Sequence, residues 1–351
     1  MLALMKKEKG DRKLVLEDAP IPNFADDEVL IKVAYSGICG TDIHIINEEF
    51  TYYPPVIIGH EFSGEIVKTG SRVTDFKVGD KVVGEPHNRA CGKCYLCRNG
   101  HIQNCRDKRS IGWGIDGSFT NYVVMPEKLL HKIPSGLSLM NAAMAEPCAI
   151  VAHQLLERAR ITPGDKVVIM GVGPIGIIAA KMAKIAGAGK IILTGCTSDI
   201  PYRLEVAKKL DCFDLFIDVQ KEDAVKKISE VCAEGADIVV EASGAESAIR
   251  TAIKVLKKRG LLCAIGMTGK TEVSIPWNEA MMKVLDVQFN MSSSYNGWNI
   301  ALSLLADGRL DVSPMIEVRT LKEYEGAFED LTKGRAMKIL LTPENEGDED
   351  K

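Results

Sequence analysis

The sequence predicts an α/β protein in which a mostly β domain is joined to a domain built on a doubly wound parallel sheet. Short runs rich in valine and isoleucine at residues 25–36 and 56–84 are interrupted by glycines, a pattern typical of strands and turns. From about residue 141, helical spacing alternates with short buried apolar runs, which indicates a parallel sheet covered by helices. The 351 residues are enough for two hydrophobic cores.

The elements of the second domain follow from this alternation. Residues 142–158 have helical spacing, and the later apolar runs predict strands at 166–170, 190–194, 238–241 and 261–265. Beyond about residue 289 we expect a short helix at 298–306 and a final strand at 338–341 that rejoins the first domain. The predicted domains are therefore 1–150, 151–290 and 291–351, and the last ends in an acidic, solvated tail at 343–351.

Composition and charge exclude some classes of function. The formal net charge is -4 and the basic residues are not clustered, so we expect a small-molecule partner and no nucleic acid. No run approaches the roughly 18 apolar residues of a membrane helix, so we expect a cytoplasmic protein without membrane attachment. Six scattered cysteines fit reduced thiols: Cys39, Cys148, Cys196, Cys212, Cys232 and Cys263.

A cysteine lobe at residues 85–110 carries the strongest local motif. Its four thiols follow one another at intervals of three, three and eight residues, at Cys91, Cys94, Cys97 and Cys105. Four thiolates on a short polar loop suit the closed tetrahedral coordination of a structural zinc ion. The alternative is free or disulfide-bonded cysteines, which such close spacing in a soluble protein of this size disfavours.

A glycine-rich turn directly follows the predicted strand 166–170 and opens a predicted helix at 177–185. Its residues are Gly171, Gly173, Pro174, Ile175 and Gly176. Glycines at this spacing let the backbone turn tightly and approach a pyrophosphate, and the helix N-terminus offers free N–H groups. The context predicts a dinucleotide site. The alternative is a glycine turn required only for packing.

The end of the next strand bears on which dinucleotide binds. An acidic residue there usually holds the ribose 2′-hydroxyl, but this chain has Gly195. Without that carboxylate a 2′-phosphate is not repelled, and Thr197, Ser198 and Arg203 offer it hydroxyls and a cation. The sequence therefore favours NADP over NAD. Two alternatives remain, that Asp199 reaches back to the ribose or that Arg203 faces solvent.

Further metal ligands are scattered through the first 150 residues. Cys39 stands in a segment that continues to Thr41 and His44, while a second segment contains His60 and Glu61. Glu146 follows much later. Three protein ligands with an open fourth position are what a catalytic zinc requires, because the open position must accept water or a substrate oxygen. The alternative is that these are ordinary buried residues.

In this order the motifs resemble the zinc-containing medium-chain dehydrogenases, especially the polyol branch of sorbitol (L-iditol) dehydrogenases together with threonine dehydrogenases. The resemblance covers nearly the whole chain. It implies a GroES-like, mostly β catalytic domain with an inserted Rossmann domain, and an active site in the cleft between them. It also implies two zinc ions per subunit and a homotetramer paired through an edge strand of the Rossmann sheet near residues 270–276.

The resemblance also implies roles for single residues. Cys39, His60 and Glu61 would hold the catalytic zinc, and Glu146 would lie beside it as an outer or exchanging ligand. Many alcohol dehydrogenases have a cysteine at the position of Glu146, so a carboxylate there resembles the polyol and threonine branch. Thr41 and His44 match the family's proton relay of a hydroxyl followed by an imidazole, although His44 could be an ordinary surface histidine.

The predicted reaction is hydride transfer from a secondary alcohol of a sorbitol-like polyol to NADP or NAD, giving a ketose. Zinc would lower the pKa of the substrate hydroxyl. Residues 292–298 lack both the arginine of sorbitol dehydrogenases and the corresponding motif of threonine dehydrogenases. Hydroxyl and amide groups nearby could bind a polyhydroxylated chain: Ser292, Ser293, Ser294, Asn296, Tyr52 and Tyr53.

Several other functions remain as alternatives at this point. The first is L-threonine 3-dehydrogenase or another secondary-alcohol dehydrogenase. The second is a zinc-free quinone reductase, which would lack Cys39, His60 and the cysteine lobe, whereas this chain has all of them. The third is a structural or sensory NADP-binding protein without catalysis.

Overall fold

The computed structural model describes residues 1–10 and 13–343, which divide into two compact units. The first unit contains Met1–Glu146, Ala301–Asp307 and the residues from Ile316 onward, and the second contains Pro147–Ile300 and Gly308–Met315. Nearly all of the predicted acidic tail lies outside the described residues. Among the residues described, we find no helix with both the length and the apolar character of a membrane span.

The strands of the described residues follow one another along the chain in this order. They are β1 (Leu2–Lys6), β2 (Val15–Asp18), β3 (Glu28–Gly37), β4 (Val56–Ile57), β5 (Glu61–Thr69), β6 (Lys81–Gly84), β7 (Tyr122–Pro126), β8 (Leu130–Lys132), β9 (Lys166–Met170), β10 (Lys190–Gly195), β11 (Leu215–Asp218), β12 (Ala236–Glu241), β13 (Leu256–Ala264), β14 (Asp286–Phe289), β15 (Ile316–Thr320) and β16 (Lys338–Thr342).

The α-helices lie between these strands, and a π-helical segment, Ala152–Ala159, follows the fourth of them. They are α1 (Gly40–Ile46), α2 (Tyr95–Arg98), α3 (Leu139–Ala142), α4 (Ala145–Val151), α5 (Pro174–Ile185), α6 (Arg203–Lys209), α7 (Ala224–Val231), α8 (Glu246–Val255), α9 (Trp277–Met282), α10 (Tyr295–Ala306) and α11 (Tyr324–Thr332).

The first unit is built around a seven-stranded sheet with the order β15-β16-β3-β5-β6-β8, in which β7 also pairs with β3. The longest pairing joins β3 and β5. Both strands carry apolar residues that are buried on the inner face of the sheet. Side chains of this sheet form one hydrophobic core, which includes Val29, Ile31, Phe62 and Ile66. Strand β16 pairs with β3, so the end of the chain contributes to the sheet that carries the N-terminal motifs.

The second unit contains a six-stranded, entirely parallel sheet with the order β11-β10-β9-β12-β13-β14. The strand order reverses between β9 and β12, and parallel sheets bind ligands at such a switch point. The α/β fold class predicted from the sequence is confirmed. Strand β9 has the predicted bounds, while β11 and β14 were not predicted because these four-residue strands lack a continuous buried run.

The predicted position of the edge strand is wrong. The edge of the parallel sheet is β14, and residues 270–276 form no strand. Strand β13 ends at Ala264, after which a turn at Gly269, whose φ is 66°, leads the chain toward α9. The edge therefore comes from the segment that follows α9.

Candidate metal sites and dinucleotide cavity

The four cysteines of the lobe converge as their spacing predicts. The Sγ atoms of Cys91 and Cys97 are 4.0 Å apart, and those of Cys94 and Cys105 are also 4.0 Å apart. Tetrahedral coordination with Zn–S bonds of about 2.3 Å would separate neighbouring sulfurs by about 3.8 Å. The separations thus fit a zinc ion and are far too long for a disulfide bond.

Backbone amides prepare these sulfurs for a cation. The N–H groups of Cys91, Cys94 and Cys97 point at the sulfurs of Cys105, Cys91 and Cys94, at 3.4, 3.4 and 3.5 Å. Donation from the Cys91 amide lowers the pKa of the Cys105 thiol to about 6. Since thiolates are the form that binds zinc, this donation favours metal binding at Cys105, whereas burial raises the pKa of the Cys97 thiol to about 12.

The second cluster brings together Cys39, His60 and Glu61, whose ligand atoms all lie within 4.8 Å of one another. Cys39 caps the N-terminus of α1, immediately after β3 ends. His60 and Glu61 stand at the start of β5, whose Glu61 is paired with Gly37 at the end of β3. The pairing of β3 with β5 therefore places a sulfur, a nitrogen and an oxygen donor together, a set that suits zinc.

Asp42 lies beside two of these donors although it is not one of the three ligands. Its fully buried carboxylate accepts a hydrogen bond from the Cys39 backbone N–H at 2.9 Å through Oδ2. Its Oδ1 lies 3.6 Å from Nδ1 of His60, and neither of these buried atoms has a hydrogen-bond partner. With Nδ1 facing a carboxylate, Nε2 of His60 is left for a metal, as in many histidine-ligated zinc sites.

Electrostatics around His60 favour a bound cation at this place. Burial acts to lower the pKa of His60, but the charges of Asp42 and Cys39 raise it well above its usual value. A positive charge is therefore stabilised in a buried environment. A zinc ion would supply that charge while His60 is neutral.

Lys338 is a component of the site that sequence reasoning missed. Its buried Nζ donates to Oε2 of Glu61 and to the carbonyl of Ile38, the latter at 2.8 Å. Glycine at position 37 makes room for this pair, because a Cβ there would lie 2.5 Å from Oε2 of Glu61. A charged residue at the start of the otherwise apolar strand β16 was the one available signal.

Glu146 is buried at the start of α4 but does not belong to the group of three ligand atoms within 4.8 Å. Burial and the charge of Glu61 raise the pKa of its carboxyl to about 7. Glu146 is therefore close enough to Glu61 to share its electrostatic environment. This fits a carboxylate beside the metal, in the outer or exchanging position suggested by the resemblance.

The relay residues lie on α1, next to the cluster. The hydroxyl of Thr41 is 3.7 Å from Sγ of Cys39. His44, one turn later, is partly exposed, and its Nδ1 lies 2.7 Å from Oε2 of Glu49. Their i, i+3 spacing puts both side chains on one face of the helix, running from the buried cluster toward solvent.

The glycine turn opens into a cavity of about 470 Å³ in the second unit. The turn joins β9 to α5, with Gly173 as the helix N-cap. A Cβ at Gly176 would lie 2.0 Å from the carbonyl oxygen of Gly171, so only glycine fits there. Gly171, Gly173 and Gly195 line the cavity at the ends of β9 and β10, where a dinucleotide pyrophosphate binds in such sheets.

Asp199 and Arg203 both line this cavity, beside Gly195. Asp199 accepts a hydrogen bond from the Cys196 N–H at 2.8 Å and lies 3.3 Å from Nη1 of Arg203. The buried Nε of Arg203 has no hydrogen-bond partner. The carboxylate that could bind the ribose 2′-hydroxyl of NAD and the guanidinium that could bind the 2′-phosphate of NADP therefore line the same wall of the cavity.

Thr197 and Ser198 are less well placed for this role. The hydroxyl of Thr197 donates to Asp218 at 2.6 Å, and neither residue is among those that line the cavity. Their assignment to the cofactor stays a prediction.

The polar groups suggested for the substrate have partners of their own. The hydroxyl of Tyr52 donates to Glu48 at 2.6 Å, and the ring is buried. Ser293 accepts from the Trp298 indole, and Ser294 and Asn296 donate to Glu157. Tyr53 is more exposed and stacks against Arg109.

Comparison with known sequences gives the family. The alcohol dehydrogenase GroES-like domain matches residues 25–135, and the zinc-binding dehydrogenase domain matches residues 174–307. Sorbitol dehydrogenase of Halalkalibacterium halodurans is 37% identical over 345 residues, covering 98% of this chain and 99% of the relative. The chain belongs to the zinc-containing medium-chain dehydrogenases. This zinc dehydrogenase also matches D-arabitol-phosphate dehydrogenase of Enterococcus avium, at 35% identity over 97% of both chains.

Solved structures agree with this assignment. A zinc-binding dehydrogenase from Sinorhizobium meliloti 1021 bound to NADP superimposes with a TM-score of 0.90, at 29% identity, covering 97% of this chain and 99% of the other. The predicted family, enzyme class and zinc and nicotinamide cofactors are confirmed. The zinc dehydrogenase acts on a small-molecule alcohol, and the quinone reductase and non-catalytic alternatives are set aside.

Replacing Lys338 by Met should destabilise the metal-free protein, because Glu61 would keep a buried charge without a partner. We expect a loss of about 3 kcal/mol or more in the free energy of unfolding. Bound zinc would compensate the carboxylate, so the loss should shrink in the zinc-loaded protein. Denaturant unfolding of both forms measures this.

The matched control for that experiment is Lys333→Met, which breaks an exposed ion pair with Glu329. Its effect should be small and independent of zinc, since exposed pairs contribute little. Equal losses for Lys338→Met with and without zinc would contradict a role of Lys338 in balancing the metal site.

Proposed function

We propose that this zinc dehydrogenase oxidises a secondary hydroxyl of a polyol to a ketone, giving a ketose and a reduced nicotinamide cofactor. The observation that carries the proposal is the cluster of Cys39, His60 and Glu61, with the buried Glu146 within electrostatic range of Glu61. A carboxylate at position 146 is the feature that resembles the polyol and threonine branch. Sorbitol dehydrogenase as a close relative over the full length supports a polyol.

Each residue of the site has a proposed task. Cys39, His60 and Glu61 would hold a zinc ion, which when bound lowers the pKa of an alcohol. The carboxylate of Asp42 faces Nδ1 of His60, and Lys338 donates a hydrogen bond to Glu61. These contacts make the donor set rigid before substrate arrives, which reduces the reorganisation needed during the reaction.

The proton of the alcohol has a path along α1. Thr41 beside Cys39 would accept it and pass it to His44, whose ring nitrogen faces Glu49 near solvent. A hydroxyl can accept one proton while it donates another, and an imidazole exchanges protons near neutral pH. Thr41 and His44 are therefore assigned to proton release, not to metal binding.

For the cofactor we propose NADP, with Arg203 binding the 2′-phosphate. Gly195 contributes no carboxylate, and Arg203, whose buried Nε has no hydrogen-bond partner, lines the cavity. Asp199 weighs against this, because its carboxylate would repel a phosphate and could hold the 2′-hydroxyl of NAD instead. The Asp199–Arg203 ion pair must open for Arg203 to bind phosphate.

L-Threonine is the second candidate substrate. Threonine dehydrogenases are also relatives of this chain, at 36% identity. Threonine carries an ammonium and a carboxylate beside its secondary hydroxyl, so its site needs a partner for each. Substrate preference separates the two candidates directly.

We also propose a homotetramer in which two Rossmann units pair along β14. Large apolar side chains around this edge strand are exposed, among them Trp277, Met282 and Phe289 at 65%, 77% and 79%. An edge strand with exposed apolar neighbours is suited to pairing with a second copy. Light scattering should give a tetrameric mass, and a monomeric mass would contradict the proposal.

The substrate assignment is tested by initial rates of reduced-cofactor formation. We expect zinc-loaded enzyme to oxidise D-sorbitol or another polyol faster than L-threonine, and to do so faster with NADP than with NAD. Cys39→Ser should lose turnover by at least about a hundredfold while remaining folded, because one zinc ligand is weakened. Faster oxidation of L-threonine would contradict the polyol assignment and indicate a threonine dehydrogenase.

The cofactor assignment is tested by dissociation constants measured calorimetrically. Arg203→Ala should weaken NADPH binding by about tenfold or more and leave NADH binding unchanged, because only NADPH has the 2′-phosphate. Asp199→Asn should strengthen NADPH binding by freeing Arg203. Lys208→Ala, on the exposed side of the same helix, is the control. The assignment would be contradicted if Arg203→Ala weakened NADH binding more than NADPH binding.

A further inference from the structure

Arg109 is a partly buried arginine without a counter-ion. Its guanidinium carbon lies 4.1 Å above the centre of the Tyr53 ring. Within residues 1–10 and 13–343 no carboxylate lies within ion-pair distance of it, whereas Arg203, Arg319 and Arg335 each pair with an acidic side chain. The ring holds the guanidinium in one plane and leaves its N–H donors available to an anion.

The loop that begins at Arg109 is attached to the metal-binding segment. The N–H of Gly117 donates to the carbonyl of Ile57 at 2.8 Å, and the N–H of Ser118 donates to that of Gly59 at 3.0 Å. Gly59 immediately precedes the zinc ligand His60. The far end of the loop is therefore hydrogen-bonded to the segment that leads into His60 and Glu61.

The same loop is attached to the segment that follows α1. The N–H of Tyr53 donates to the carbonyl of Trp113 at 2.9 Å. The rings of Phe50 and Trp113 pack edge to face at 5.5 Å. Cys39 caps α1, which carries the relay residues, so the loop touches both segments that hold the metal donors, one through Gly117 and Ser118 and the other through Trp113.

The neighbouring cation, Lys108, is within electrostatic range of a carboxylate of the proposed metal site. Burial lowers the pKa of Lys108, while the charges of Cys105 and Glu146 act to raise it. Lys108 is thus close enough to feel the carboxylate beside the proposed catalytic zinc. Its Nζ donates to the carbonyl of Gln103, whereas in the described part of the chain no carboxylate pairs with Arg109.

We propose that Arg109, stacked on Tyr53, binds a phosphate group of the substrate, so that the preferred substrate is a polyol phosphate. The inference rests on the proposed polyol dehydrogenase function and specifies its substrate class. A planar guanidinium can donate two parallel hydrogen bonds to phosphate oxygens, and the aromatic ring beneath it prevents the fork from rotating away. The phosphate binds apart from the hydroxyl that reacts.

The test compares pairs of substrates that differ only in phosphate: D-sorbitol with D-sorbitol 6-phosphate, and D-arabitol with D-arabitol 1-phosphate. The readout is the ratio of kcat/KM for the phosphorylated over the parent polyol. We expect a ratio of about ten or more for the unaltered enzyme and a ratio near one for Arg109→Ala. The change should lie mainly in KM, because the contact is equally present before and during the reaction.

Three further variants make the result specific. Arg106→Ala removes an exposed arginine three residues before the loop, so its ratio of kcat/KM values should equal that of the unaltered enzyme. Arg109→Lys keeps the charge but loses the planar pair of N–H donors. Its ratio should lie between those of the unaltered enzyme and Arg109→Ala. Tyr53→Leu should lower the ratio through loss of the stack, while Tyr53→Phe should preserve it. Arg109→Lys and Tyr53→Leu carry the test if Arg109→Ala does not fold.

The possible failures are distinguishable. Oxidation of the parent polyols without any preference for the phosphates would overturn the inference and leave the polyol function standing. The enzyme could instead prefer carboxylated secondary alcohols and lose this preference in Arg109→Ala. Arg109 would then bind a carboxylate and not a phosphate, which would also overturn the inference. If neither member of any pair is oxidised while L-threonine is, the proposed function itself fails.

Discussion

The ion pair between Lys338 and Glu61 is the contact on which the proposed catalytic site depends. It joins the starts of β16 and β5, and Lys338 also binds the carbonyl of Ile38 at the end of β3. A buried carboxylate needs a nearby positive charge, and lysine supplies it where solvent cannot. The donor set for zinc is therefore held by a residue 277 positions away from its ligand.

Features encoded within short segments could be predicted from the sequence. The cysteine lobe depends on four thiols within fifteen residues, and the bounds of β9 depend on one apolar run followed by a glycine turn. In such cases the spacing alone fixes the geometry, because few backbone paths bring the same groups together. The family resemblance then supplied the order of the domains and the enzyme class.

Features that depend on tertiary packing could not be predicted in this way. Nothing in the sequence around Lys338 indicates that it lies beside Glu61, and nothing around Arg109 indicates that it stacks on Tyr53. Asp199 is an intermediate case. Its carboxylate lies beside the end of β10 because a short local turn that starts at Cys196 brings it there. Long-range contacts of side chains arise only once the sheets have assembled.

The long separation of Glu61 and Lys338 has a consequence for biosynthesis. At about 5–20 residues per second, a ribosome needs of the order of half a minute to make the chain between them. During that interval the nascent N-terminal segment carries Cys39, His60 and Glu61 without the lysine that balances them. The cysteine lobe is complete much earlier, so metal capture on the growing chain is expected to begin there, and the proposed catalytic site is expected to mature only once Lys338 has been made.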